Sequence, residues 1–154
     1  GPGWRDIRAP RLVRARGLPD VVETLPRLPD GTPFPTLYYL TCPRATGATF
    51  TLEATGVMRE MTDRLRADRA LSTAQVAAHE AYLRRRSTLG DVAEIDRVSA
   101  GGMPDRVKCL HVLVAHSLAA GPGVNPLGDE AVAALPDWWE NGPCVADDQQ
   151  AGQR

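Results

Sequence analysis

The sequence predicts a helix-rich α+β single domain with a small antiparallel sheet or hairpin near the N-terminus. Three observations predict it. Two segments rich in β-branched and aromatic residues flank a Pro29-Asp30-Gly31 turn signal. Apolar residues recur at helical spacing from Pro43 onward. The 154 residues, 43% hydrophobic and 24% charged, suit one domain with its own core.

Taken in order, Val21-Val22-Glu23-Thr24-Leu25 reads as a short strand closed by Pro26. Phe34 to Cys42 reads as a second strand, antiparallel to the first through the Asp30-Gly31 loop, with Pro33 and Pro35 confining any pairing to an edge or to the later residues. Thr41 or Cys42 is placed to cap a helix opening at Pro43, where a missing N–H is harmless, and Gly56 ends or bends it. Met58, Met61 and Leu65 form an apolar stripe, with Glu60 and Arg64 as an exposed pair. Ser72-Thr73-Ala74-Gln75 reads as a capping box, with Val76, His79 and Leu83 on one side of the helix and Arg84-Arg85-Arg86 as its solvated end. Residues 90 to 100 read as a connection. Pro104 opens a helix punctuated by Gly121-Pro122, with Val107, Leu110, Val114 and Leu118 facing the core. Asn125 caps a short last helix through Leu135.

The expected organisation is a tag remnant and arginine-rich arm over 1–16, one domain over 17–143 and a mobile tail over 144–154. The net charge of -1 argues against a dedicated nucleic-acid binder, and no apolar run approaches the roughly 20 residues of a membrane span. A cytoplasmic protein is expected, with Cys42, Cys109 and Cys144 as reduced thiols.

Chemistry concentrates around the helix that carries Cys109. Gly101-Gly102 tolerates positive φ and precedes a helix start, so these glycines, with Asp105, Arg106 and Lys108, suit an anionic phosphate or carboxylate group. The bland alternative is a glycine turn needed only to enter the helix. Cys109 has cationic neighbours that favour a thiolate, against the commoner buried, inert cysteine. His111 or His116 suits a general base, with Asp129 as a further acid–base group and Asn125 as a ligand contact, against the ordinary fate of a core histidine. No cofactor is predicted. Cys109 and His116 stand about 10 Å apart along an ideal helix, and Cys109 and His111 point nearly opposite ways, so a zinc ion would need Cys42 to join Cys109.

The blocks Arg27 to Thr41, Gly101 to Ala120 and Gly121 to Asp129 carry a resemblance that spans about residues 17 to 143. On them the chain resembles the actinobacterial domain-of-unknown-function family 501. One departure is Arg14-Ala15-Arg16, which stands where members of that family often carry a cysteine-containing segment. The resemblance implies no activity. The genes of that family often sit beside a septum-formation initiator and an exopolyphosphatase.

Two function classes remain open. One is a small-molecule enzyme or ligand-binding protein for an anionic substrate, working at Gly101-Gly102 and the following helix. The other is a non-catalytic interaction module linked to cell-division or polyphosphate machinery, with Trp138 and Trp139 as exposed anchors and a homo-oligomer or protein partner. A pocket favours the first; an exposed apolar patch at the tryptophans favours the second.

Overall fold

The computed structural model describes residues 21–138 and the backbone of three short strands before them. Those strands are β1 (Ile7–Arg8) and β2 (Arg14–Ala15), within the stretch expected to be an arm, and β3 (Leu18–Pro19), at the start of the expected domain. The tag remnant, the rest of the arm, Trp139, Cys144 and the expected tail lie outside the described residues.

The expected hairpin is present. β4 (Val21–Thr24) pairs antiparallel with β5 (Tyr38–Leu40), Val21 facing Leu40 and Glu23 facing Tyr38, and β1 lies on the other side of β4. Ladder pairing lies in the residues after Pro35, and before it the two segments meet in an isolated Arg27–Pro33 bridge. In the loop, Asp30 Oδ1 accepts the Thr32 N–H at 2.9 Å and Gly31 takes φ 90°, a backbone region that glycine enters without steric penalty.

Five α-helices follow among the described residues. Helix α1 (Pro43–Glu53) is capped by Cys42, whose Sγ accepts the Ala45 N–H at 3.5 Å. Gly56 turns the chain in a left-handed conformation into α2 (Val57–Ala67), which buries Met61 and Leu65. Helix α3 (Arg69–Ser87) opens earlier than the capping box suggests. Asp68 is its cap, accepting the Leu71 N–H at 3.1 Å, and a carboxylate there also complements the helix dipole.

The buried face of α3 is Gln75, Ala78, Tyr82 and Arg86, where the sequence suggests Val76, His79 and Leu83. Polar partners decide this. The Tyr82 hydroxyl oxygen accepts the Leu37 N–H at 2.6 Å, and Arg86 donates to the carbonyls of Pro35 and Ile95. Arg85 makes a two-point pair with buried Glu23, at 2.8 and 3.1 Å. The basic run is therefore docked at two of its three arginines rather than solvated. Arg64 likewise finds Glu130 of the last helix at 2.7 Å.

Helix α4 (Leu110–Ala120) is the axis of the domain. It packs on β5, β4, α1 and α5 (Pro126–Ala134), and Val112 to Ser117 are all buried. This explains a helix apolar on every side. Asn125 caps α5 as expected, its Oδ1 accepting the Gly128 N–H at 2.9 Å. No described helix is long and apolar enough to cross a membrane.

Two expectations are corrected. Trp138 is only 5% exposed and belongs to the core cluster, because the chain after α5 folds back onto the domain. Cys42 is disulfide-bonded while Cys109 carries a free thiol, so Cys42 is not reduced and cannot join Cys109 around a metal ion.

Candidate functional site

Helix α4 begins at Leu110, six residues later than the proline rule suggests. Residues 101 to 108 instead fold on themselves: Lys108 donates its N–H to Gly101 O at 2.8 Å and Arg106 to Gly102 O at 3.2 Å. The Met103–Pro104 peptide is cis. Both glycines have positive φ, and both are crowded. A Cβ on Gly101 would stand 3.0 Å from Val112 Cβ, and one on Gly102 would stand 2.9 Å from Arg106 O. Close approach to α4 and to the loop itself thus accounts for the glycine pair.

Cys109 follows in extended conformation, φ −150° and ψ 117°, as the N-cap of α4, and its side chain makes no capping bond. The cap comes from outside the helix. Glu53, the last residue of α1, accepts the Leu110 N–H on Oε2 at 2.9 Å. A carboxylate thus sits at the positive end of α4, the place where the sequence suggests an external anion.

The same carboxylate reaches His111, with Oε1 at 3.2 Å from Nδ1. The other ring nitrogen, Nε2, lies 3.3 Å from Thr46 O, and the Phe50 ring packs 4.2 Å from the imidazole, centroid to centroid. Sulfur, ring nitrogen and carboxylate oxygen of Cys109, His111 and Glu53 all lie within 4.8 Å of one another. Cys109 and His111 converge where helical spacing has them diverge, because an extended Cys109 does not follow the helical rotation. All three residues are partly exposed, and Phe50 beside them is 62% exposed.

His111 and His116 lie in different surroundings. His116 is 2% exposed, stacked on Tyr38 and edge-on to Tyr82, and burial pushes its pKa down to about 4. Its Nδ1 faces Asn125 Nδ2 at 3.1 Å. Asn125 also contacts Met103 Sδ through Nδ2, and its Oδ1 accepts from Gln75 Nε2 and Gly128 N. The Asn125 amide is thus fully engaged inside the protein.

Asp129 accepts the Gly123 N–H at 2.9 Å and holds the turn between α4 and α5, on the rim of a shallow depression shared with Ser117, Leu118 and Val132. Asp105, Arg106 and Lys108 are exposed, and neither cation has an ion-pair partner among the described residues. The structure therefore joins Cys109 and His111 to each other, places the free cations one and three residues before Cys109, and sets His116, Asn125 and Asp129 apart in the interior and the following turn.

A family model described as "Protein of unknown function (DUF501)" matches residues 12–133. The chain belongs to the DUF501 family. The DUF501 match takes in Thr46, Phe50, Glu53, Cys109 and His111 and stops short of Trp138. No curated protein and no solved structure matches the chain.

Sequence reasoning missed Glu53, Phe50 and Thr46. A signal for Glu53 was available: an acid in the last turn of a helix opposes the helix dipole, which suggests a second reason for its presence. Phe50 and Thr46 lie one turn and two turns before it, on the side of α1 that meets the head of α4. Chemically, the cluster combines a free thiol, an imidazole held between Glu53 and Thr46 O, and a carboxylate, with exposed cations nearby in the chain.

Proposed function

We propose that this DUF501 protein is a small-molecule enzyme or ligand-binding protein for an anionic, phosphate- or carboxylate-bearing substrate, with its chemistry centred on Cys109, His111 and Glu53 at the head of α4. The convergence of those three side chains within 4.8 Å carries the reading. Glu53 and His111 come from elements 58 residues apart, and the thiol beside them takes no part in capping. Glu53 meets His111 at Nδ1 and Thr46 O meets it at Nε2, so the imidazole is held in one orientation at the head of α4. Exposed Phe50 offers an apolar wall, and exposed Arg106 and Lys108, three residues and one residue before Cys109, supply positive charge.

Burial of Trp138 takes away the described anchor on which the interaction-module reading relied. The enzyme or ligand-binding reading is therefore the one retained.

The test is thermal denaturation of the wild-type chain against inorganic phosphate, pyrophosphate, nucleotides and small di- and tricarboxylates. At least one class should raise Tm, by about 2.7 kcal/mol of linkage at one hundred times its Kd. The shift should fall in Cys109→Ala and in the Arg106→Ala, Lys108→Ala double variant. Equal shifts in all three proteins, or none in any, would remove the proposal.

A further inference from the structure

We propose that Glu53, Cys109 and His111 together hold one zinc-class divalent metal ion, with a coordination position left for an anionic oxygen ligand. The inference deepens the reading above and rests on it, since the metal would occupy the same cluster.

Donor chemistry comes first. Sulfur, imidazole nitrogen and carboxylate oxygen are the three donor types zinc takes in proteins, and three protein ligands with a fourth position open is the pattern of a catalytic site. In tetrahedral zinc coordination such donors stand roughly 3.4–3.6 Å apart, from bonds of about 2.0–2.3 Å. Here all three lie within 4.8 Å of one another and Nδ1 already stands 3.2 Å from Oε1, so small side-chain rotations close the set.

The outer contacts are a second and independent observation. A ligating histidine commonly donates its other N–H to a carbonyl, and a ligating carboxylate is itself hydrogen-bonded. Thr46 O lies 3.3 Å from His111 Nε2, and the Leu110 N–H donates to Glu53 Oε2 at 2.9 Å. Glu53 and His111 therefore each keep one atom on an outer partner and turn the other toward the cluster. With the proton on Nε2, the Nδ1 lone pair faces the Glu53 Oε1 lone pairs at 3.2 Å. Two acceptors in that relation need a shared proton or a cation between them. Phe50, packed on the imidazole, limits its rotation. Cys109 is the free thiol of the described residues and stands at the head of α4 with no capping bond of its own.

The metal also accounts for an anionic substrate in a place where Glu53 already occupies the helix terminus. A divalent ion is balanced in charge by one carboxylate and one thiolate, but its open position binds an anionic oxygen directly. Arg106 and Lys108 add the remaining positive charge.

The experiment is titration of the purified full chain, without thiol reductant so that the Cys42 disulfide persists, with cobalt(II) and then zinc(II). Expected is one cobalt per chain, a thiolate-to-cobalt charge-transfer band in the near ultraviolet, and displacement of that band by zinc. The band should vanish in Cys109→Ser. Affinity should fall at least tenfold in His111→Gln and Glu53→Gln, the latter keeping an acceptor for Leu110, with far-ultraviolet circular dichroism reporting that each variant is folded. A folded wild-type chain that gives no band, or a band that survives Cys109→Ser, overturns the metal. If the band is absent while anions still shift Tm in a Cys109-dependent way, the metal fails and the site reading stands. If both are absent, both fail.

Discussion

Replacing Gly128 by alanine would drive a methyl group into the contact between α4 and α5. A Cβ there would stand 2.3 Å from Leu113 O and 2.3 Å from Ser117 Oγ, with the Leu113 carbonyl carbon at 3.0 Å. Ser117 can rotate, but Leu113 O belongs to the backbone of the central helix and moves only with it. Overpacking of this kind costs about 1–3 kcal/mol, and a backbone clash belongs at the upper end. Alanine recovers about 1 kcal/mol through helix propensity, so the net loss is about 2 kcal/mol. For a chain of this size that lowers Tm by roughly 4–8 °C.

Gly47, exposed in α1 with nothing within 4 Å of an added Cβ, is the internal control. Gly47→Ala should raise stability by about 0.5–1 kcal/mol, since only propensity acts. Urea denaturation of both variants reads the two signs directly. A neutral or stabilising Gly128→Ala would refute the packing of α5 on α4 described above.

Two further perturbations report on the interior. Tyr82→Phe removes the acceptor of the Leu37 N–H in a fully buried position and should cost about 1–3 kcal/mol, seen as a lower urea midpoint at unchanged slope. Burial pushes the His116 pKa down to about 4 from the ordinary 6.5, so between those values the unfolded chain binds the extra proton. Stability from this group is complete above pH 6.5 and falls by roughly 3 kcal/mol as pH drops to 4. The difference in unfolding free energy between wild type and His116→Gln should shrink by that amount over the window, while groups common to both cancel. A constant difference would show that the ring is not held neutral by burial.

Local signals were legible where one residue fixes the backbone. Pro29-Asp30-Gly31 set the β4–β5 hairpin, Cys42-Pro43 opened α1, and Asn125-Pro126 opened α5. The start of α4 was not, because Gly101 to Lys108 closes through its own hydrogen bonds and packs on Val112. The same failure hid the site. With Cys109 placed inside a helix, it points away from His111; as an extended cap it points toward it. Glu53 carried a signal in its place at the end of α1, but its partner was hidden, since it is joined to Leu110 across 57 residues by a contact that only the tertiary fold creates. The two histidines of α4 differ by what tertiary structure brings to each: Tyr38 and Tyr82 around His116, Glu53 beside His111.

The most direct test of the account is the rate of Cys109 alkylation by iodoacetate relative to neutral iodoacetamide, on the metal-free chain, with site assignment by mass spectrometry. If Cys109 stands beside a place that receives anions, the anionic reagent is favoured over its ratio with free cysteine by severalfold, shows saturation, and loses the advantage in the Arg106→Ala, Lys108→Ala double variant. A ratio equal to that of free cysteine, unchanged in the variant, would contradict the claim that this end of α4 binds an anionic substrate.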